Sequence, residues 1–445
     1  MRKLGFACVF FFLVFRSFNS MAVLTEKEVQ TFTLNNGMKI LVVEDDSIPN
    51  ANMYTFWKVG SRNEAPGTTG LSHFFEHMMF NGSKKYGPKM FDRTMEASGG
   101  SNNAYTTADI TVYTNWFPAQ ALETIFDLEA DRIAHLSIDP KMVESERGVV
   151  ASERSTRLEN SNFSLLYTEM LGVAFRAHPY SWPVIGHASD IAAWDMDDLK
   201  SYYKTYYAPN NAVVVIAGDV TLEQVKKLAK KYFEPIPAQS APKAVRTIEP
   251  EQKGERRFYV HKESASSENL MMAYHIPEEN HTDTPALNVL ADILGKGKSS
   301  RLYQRLIEQD KIASSVYAFR NESLDPHLFF ISAVANGDIS AKKMESVILE
   351  EIQLILKEGI TEQELQKVKN QRLADYYRQM ATINGKANLI GTYEVYVGDY
   401  RTLYRQPEID NAVTVDDVLR VAKQYFKKSN QTVGILGPKE DIYAQ

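Results

Sequence analysis

Residues Ser72 to Gly82 read SHFFEHMMFNG, and three of them can do chemistry: His73, Glu76 and His77. In a helix, two histidines four residues apart project from one face, and Glu76 lies beside them at the three-residue spacing. Imidazoles placed in this way can share one Zn2+, which takes N, S and O donors in a tetrahedron. A glutamate next to such an ion can accept and return a proton. The competing reading makes all three residues the wet side of a core helix whose phenylalanines and methionines face inward.

The order H-x-x-E-H inverts the H-E-x-x-H pattern of many zinc proteases. A catalytic zinc needs three protein ligands and one open position, so a third ligand has to come from elsewhere in the chain. ESERGVVASER, from Glu144 to Arg154, offers Glu144, Glu146 and Glu153. The spacing between Glu146 and Glu153 puts those two on one helical face, and Val143, Val149 and Val150 suggest a helix partly buried against a core. Glu153 as ligand, with Glu146 behind it bonding a ligand histidine, is one arrangement among several. Solvated glutamates on an exposed helix are the alternative.

The elements that must position these residues alternate along the chain. VQTFTLNNGMKILVVEDD predicts two strands around an Asn-Asn-Gly turn, and NMYTFWKVG (Asn52 to Gly60) predicts a third. SRNEAPGTTG is a loop, after which the helix bearing the histidines begins. ALETIFDLEADRIAHL and DPKMVESERGVVASERSTRLEN carry apolar residues at helical spacing. A proline-rich stretch from Glu234 to Glu255 predicts a linker, placed at 236–256, between a first domain at 23–235 and a second at 257–445. DDLKSYYKTYYAPNNAVVVIAG (Asp197 to Gly218) aligns without a gap on DDVLRVAKQYFKKSNQTVGILG (Asp416 to Gly437), each a helix, a turn and a buried strand ending in Gly. Such internal similarity predicts two halves of like fold.

The 445 residues, 44% hydrophobic and 24% charged, describe a globular chain long enough for two or three domains. A formal charge of -6 with interspersed signs excludes a nucleic-acid surface. Arg2 and Lys3, the apolar run Leu4 to Phe15 and the triplet Ser20, Met21, Ala22 predict a signal peptide at 1–22 and a periplasmic or secreted protein. That run is too short to span a bilayer, and no other segment approaches the necessary length. The one cysteine, Cys8, lies inside it, so the mature chain can form no disulfide. No phosphate loop, G-x-G-x-x-G or nucleophile elbow supports a small-molecule enzyme.

GLSHFFEHMMFNGSKKY (Gly70 to Tyr86), GGSNNAYTTADITVY (Gly99 to Tyr113) and ERGVVASE (Glu146 to Glu153) resemble, in order and spacing, the M16 or pitrilysin-like zinc metallopeptidases. HPYSWPVIGHASDI and NAVVVIAGDV look like further landmarks of that family, and 75 residues lie between His77 and Glu153, as its signature requires. The two-repeat length is similar to the bacterial subfamily related to mitochondrial processing peptidase. The resemblance implies an α+β fold of two homologous repeats, each a mostly antiparallel sheet packed with helices. It implies a zinc endopeptidase holding one Zn2+ per chain through His73, His77 and Glu153, with Glu76 as general base. It also implies Glu146 as support behind the ligands, and Asn103 and Ala104 on an edge strand that pairs with the substrate backbone. The residues themselves also allow SGGSNNAYTT to be no more than a Gly-rich turn entering a strand.

In that family the second half usually supplies an arginine and, seven residues later, a tyrosine that stabilise the oxyanion. With SSRLYQRL setting the register, those positions fall on Ile307 and Ser314; Arg301, Arg305, Tyr303 and Tyr317 are nearby at other spacings. ALNVLADILGKG (Ala286 to Gly297) replaces the metal motif with apolar residues. The expectation is a zinc-bearing subunit whose Arg/Tyr pair comes from a second M16-like chain in a heterodimer, with a homodimer as the other arrangement. A non-catalytic structural or assembly subunit is the alternative function. His135, His178, His187, His261, His275, His281 and His327 have no ligand spacing and are expected to be structural or surface residues.

Overall fold

A computed structural model describes residues 28–438. The expected signal peptide lies outside the described residues. Two sheets organise the chain. The first contains β1 (Val29–Thr33), β2 (Lys39–Glu44), β3 (Asn50–Trp57), β4 (Ser101–Thr106), β5 (Thr111–Pro118) and β6 (Ala212–Gly218). Its order is β1-β2-β6-β3-β5-β4, antiparallel except for the parallel pair β2 and β6. The second contains β7 (Arg256–His261), β8 (Asn269–Ile276), β9 (Ala313–Arg320), β10 (His327–Ala335) and β11 (Gln431–Gly437), in the order β7-β11-β8-β10-β9. There too a single pair, β7 with β11, is parallel. The second order is the first one without β1, so the repeat predicted from 22 aligned residues extends through both sheets.

β1 and β2 form the expected hairpin around Asn35, Asn36 and Gly37. β3 starts at Asn50, two residues earlier than the sequence suggests, and stops at Trp57. Asn50 still has a partner in Pro118, whereas beyond Trp57 the chain turns away toward Gly60. Every residue of β6 is buried, as expected for a strand with both faces covered. Between β3 and β4 lie α1 (Leu71–Met78) and α2 (Met90–Ala97). Between β5 and β6 lie α3 (Leu122–His135), α4 (Pro140–Arg154), α5 (Asn162–Ala174), α6 (Ala188–Ala193) and α7 (Met196–Tyr206). α8 (Leu222–Tyr232) follows β6, and residues 237–253 hold neither helix nor strand. The second half adds α9 (Thr284–Gly295), α10 (Ala341–Glu358), α11 (Glu362–Met380), α12 (Ile383–Tyr396), α13 (Thr402–Ala412) and α14 (Val415–Tyr425).

Each sheet packs one face on helices of its own half. The inner face of the first meets α1, α3, α7 and α8 through residues such as Met53, Trp57, Phe75, Phe126 and Leu199. The outer faces are covered by exchange. α12 lays Ile383, Ala387 and Ile390 on Leu41, Phe56 and Val215 of the first sheet. α5 lays Leu166, Met170 and Ala174 on Met271, Ala273 and Phe330 of the second. Neither half covers its own sheet completely, so the two halves interlock.

Gly391 of α12 sits where a Cβ would overlap the ring of the buried Phe56. Alanine normally gains about 1 kcal/mol over glycine inside a helix. Here the overlap outweighs that gain, because overpacking a filled core costs about 1–3 kcal/mol. Gly391→Ala therefore lowers the denaturant midpoint, and a raised midpoint would show that α12 is not seated as described.

Candidate metal centre

α1 begins at Gly70, whose φ of 89° lies in the left-handed region. The buried Glu64 carboxylate accepts from the Gly70 and Ser72 amides, both at 2.7 Å, and so caps the helix N-terminus. Burial nevertheless pushes the Glu64 carboxyl up to about 8. The helix then buries Leu71, Phe74, Phe75 and Met78. Phe75 stacks on Tyr202 and Tyr203, and Phe74 packs on Trp194. With the aromatics anchored in the core, the remaining face carries His73, Glu76 and His77 toward α4.

α4 starts with Asp139 accepting from the Lys141 and Met142 amides and with Pro140 in its first turn. It presents Glu146 and Glu153 to α1. Glu153 Oε2 lies 3.2 Å from His77 Nε2, and Glu153 Oε1 lies 3.7 Å from His73 Nε2. One donor atom from each of these three residues falls within 4.8 Å of the others, and no other such group occurs among the described residues. Ligands about 2.0–2.1 Å from a shared tetrahedral zinc stand roughly 3.3 Å apart. Two imidazoles and a carboxylate at 3.2 and 3.7 Å thus fit that ion in chemistry and in spacing.

The surroundings fix these groups. Glu146 Oε1 lies 2.8 Å from His77 Nδ1, which turns Nε2 of that ring toward Glu153. Asn81 donates to the other Glu146 oxygen at 2.7 Å. The His77 bond holds the Glu146 carboxyl below its ordinary range. His77 itself is raised: burial pulls it down, but the bond and charge of Glu146 and the charges of Glu153 and Glu76 outweigh that. Burial drives His73 down to about 3, so it is neutral, the form that can ligate a metal. Its Nδ1 is buried without a hydrogen-bond partner among the described residues. Burial also raises Glu76, against the hydrogen bond that Thr106 Oγ1 donates to its Oε2 at 2.5 Å. Arg157, largely exposed on the π-helical turn after α4, lies 2.8 Å from Glu153 Oε1.

His73 and Glu153 border a cavity of about 660 Å³. Phe163, Tyr167, Tyr180 and Trp182 wall it from the first half, and Arg320, Glu322, His327 and Tyr396 from the second. Asn103 and Ala104 lie on β4, which among the described residues pairs only with β5 and forms the edge of the sheet beside Glu76. The sequence reading missed Thr106, Asn81, Arg157 and the contribution of the second half to this cavity. Thr106, Asn81 and the second half act across long stretches of chain and leave no local signal, whereas Arg157 stands four residues after Glu153, a helical spacing that could have pointed to it.

The second half answers the same positions with an ion pair. Counted from the capping residues Asp139 and Thr361, Glu153 corresponds to Asp375. Counted back from the left-handed glycines Gly82 and Gly297, His77 corresponds to Asp292. Lys296 Nζ stands 2.7 Å from Asp375 and 3.6 Å from Asp292, and Arg372 lies 3.3 Å from Asp292. The side chains of this half supply their own cations. Ile307 packs against the second core and the Ser314 hydroxyl donates to Val334 O, so neither offers a cation or a phenol.

Comparisons with known proteins agree with this geometry. Residues 39–187 match the family model described as insulinase (peptidase family M16), and residues 193–372 match the peptidase M16 inactive domain. The chain is 32% identical to the zinc protease PqqE of Helicobacter pylori over 98% of each chain. It is 26% identical to the mitochondrial-processing peptidase subunit beta of Lentinula edodes, covering 88% of this chain and 86% of that one. A solved protease from Helicobacter pylori superposes with a TM-score of 0.89 at 32% identity, covering 92% of this chain and 99% of that chain. Two repeats of one sheet topology, a histidine pair facing a glutamate, and full-length similarity to a zinc protease lead to one assignment: the chain belongs to peptidase family M16.

Proposed function

We propose that the protein is a zinc-dependent endopeptidase for peptides or unfolded segments, and that it is the zinc-bearing subunit of a pair. The observation that carries this reading is the convergence of His73, His77 and Glu153 from two helices, with Glu76 held alongside by Thr106. His73, His77 and Glu153 would hold the ion, and Glu146 keeps His77 in the tautomer whose Nε2 faces it. Zinc bound there polarises a scissile carbonyl and acidifies water. Glu76 takes the proton from the attacking water and gives it to the leaving amine. Thr106 occupies Oε2, which leaves Oε1 for that proton. The open edge of β4 at Asn103 and Ala104 accepts the peptide as an added strand.

The need for a partner rests on Ile307 and Ser314. Arg320, the cation that the second half brings to the cavity, is already committed to Glu279 and Asn288. An oxyanion donor must then come from a second M16-like chain, with the two chains closing around the peptide. Hydrolysis of an unstructured, internally quenched peptide is expected to rise about 10²-fold or more when the co-purifying partner is added. Equal rates for the chain alone, as monomer or homodimer, would remove the partner from the scheme. Absence of hydrolysis in both preparations would favour the assembly-subunit reading.

A further inference from the structure

Three of the seven histidines outside the metal centre, from three separate stretches of chain, meet where the two halves interlock. Phe175 caps the end of α5 and is buried against the second sheet. His178 of the first half, His275 of β8 and His327 of β10 stand around its ring, with centroids 6.0, 5.2 and 5.5 Å away. Tyr180 lies between His178 and His327, at 4.4 and 4.6 Å. His178 and His327 are buried, and His275 is half-buried. His178 Nδ1 accepts from the Tyr180 amide at 3.1 Å, so its ring proton sits on Nε2, 3.1 Å from Asp325. His275 Nε2 donates to Ala174 O at 3.1 Å. Burial lowers His275, against the Ala174 carbonyl and the charge of Glu249. His327 Nδ1 has no hydrogen-bond partner among the described residues, and burial with the two neighbouring histidines holds that imidazole down at about 3.

The charges that face this cluster are already paired. Asp325 binds Arg62 at 2.8 Å as well as His178, and Asp109 accepts from Tyr180 Oη at 2.7 Å and from the Leu324 amide. Glu249, from the linker, accepts from the Arg176, Ala177 and His178 amides, while Arg256 of β7 donates to the Val173 and Ala174 carbonyls. Arg320 of β9 is committed to Glu279 and Asn288, and it adds positive charge toward His327. Glu322 lines the same cavity as His327, but burial lifts its carboxyl to about 7, so it loses its charge as the pH falls. A proton added to His327 therefore finds no acceptor, and one added to His178 Nδ1 breaks the bond from the Tyr180 amide. Tyr167 of α5 and Tyr180 also wall the 660 Å³ cavity. Whatever lifts α5 from the second sheet opens that cavity, while α1 and α4 keep the ligand residues together.

We propose that His178, His275 and His327 form an acid-sensitive clasp, whose protonation releases α5 and the turn Pro179–Ser181 from the second sheet and opens the cavity beside the metal centre. A histidine held in the folded state below its ordinary value of about 6.5 contributes its full stability above that value and loses it as pH falls toward the folded one. The clasp is therefore closed above about pH 6.5. Below that, down to the value of about 3 at His327, each proton taken up on opening raises the ratio of open to closed about tenfold per pH unit.

The test is hydrogen exchange of the full chain at about pH 7.5 and about pH 5.5, corrected for the intrinsic pH dependence of exchange. On going to the lower pH, protection of residues 162–182 is expected to fall about tenfold, while α10 and α14 in the second core keep theirs. His327→Phe keeps a ring between Phe175 and Tyr180 and takes no proton. In that variant the two pH values are expected to agree within about twofold. His327→Gln is also neutral but leaves the place of the ring unfilled, so it is expected to lose protection by the same factor at both pH values. The pair of variants separates a lost charge from a lost fit. A wild-type chain whose residues 162–182 stay protected at the lower pH, or lose protection together with α10 and α14, overturns the clasp. So does a pH dependence that both variants retain in full.

Discussion

Glu76→Gln is expected to lower kcat/KM for an unstructured peptide by about 10²–10⁴-fold while zinc content stays at the wild-type level. The amide keeps the size of the carboxylate and can still accept the bond from Thr106 Oγ1, now 2.5 Å from Oε2, so the neighbourhood of α1 and β4 is preserved. It loses only the capacity to take a proton. Because Glu76 is neither one of the three donors nor a partner in the Glu146 bond that orients His77, the ligand set is untouched. The loss should appear in kcat far more than in KM, since the substituted group acts on the reacting atoms and not on the bound peptide. Unchanged hydrolysis would remove Glu76 as the base.

A larger effect on the metal follows from His77→Ala. The substitution removes one of three donors and also strips Glu146 of its hydrogen-bond partner. Three protein ligands define a catalytic zinc site, and two leave it open to loss of the ion. The expected result is a chain that no longer retains zinc through gel filtration and does not hydrolyse peptides. Glu146→Ala leaves all three donors in place and is expected to weaken zinc affinity by about 10–100-fold, because His77 is then free to rotate. A chromophoric chelator in competition measures both. Retention of zinc by His77→Ala with wild-type affinity would place the metal away from α1 and α4.

Much of this arrangement is legible in the chain. Phe74, Phe75 and Met78 alternate with His73, Glu76 and His77 at helical spacing, and in the fold that period separates an anchored face from a chemical one. Glu153 is the harder residue. Its spacing from Glu146 marks a helical face, but the same pattern also suits a solvated helix, and the family resemblance was needed to choose between them. The repeat was visible as a local copy at residues 197–218 and 416–437, because helix, turn and buried strand leave a pattern within a short window.

What stayed hidden depends on contacts between distant segments. Thr106 meets Glu76 across 30 residues, and Asn321 donates to Tyr167 across 154. The exchange of α5 and α12 between the two sheets is equally silent. An amphipathic helix shows that it must be covered, and it does not show by which half. The ion pairs of Lys296 with Asp292 and Asp375 were out of reach for the same reason: in sequence, the second half displays only the absence of the H-x-x-E-H pattern.

The most direct measurement is zinc stoichiometry followed through chelation and restoration, with peptide hydrolysis by the partnered protein read at each stage. A zinc endopeptidase built on His73, His77 and Glu153 binds one zinc per chain. It loses hydrolysis as the ion is removed, regains it when zinc is returned, and does neither when Glu153 is replaced by Ala. Hydrolysis that survives full removal of the metal, or a wild-type chain that binds no zinc, would contradict it.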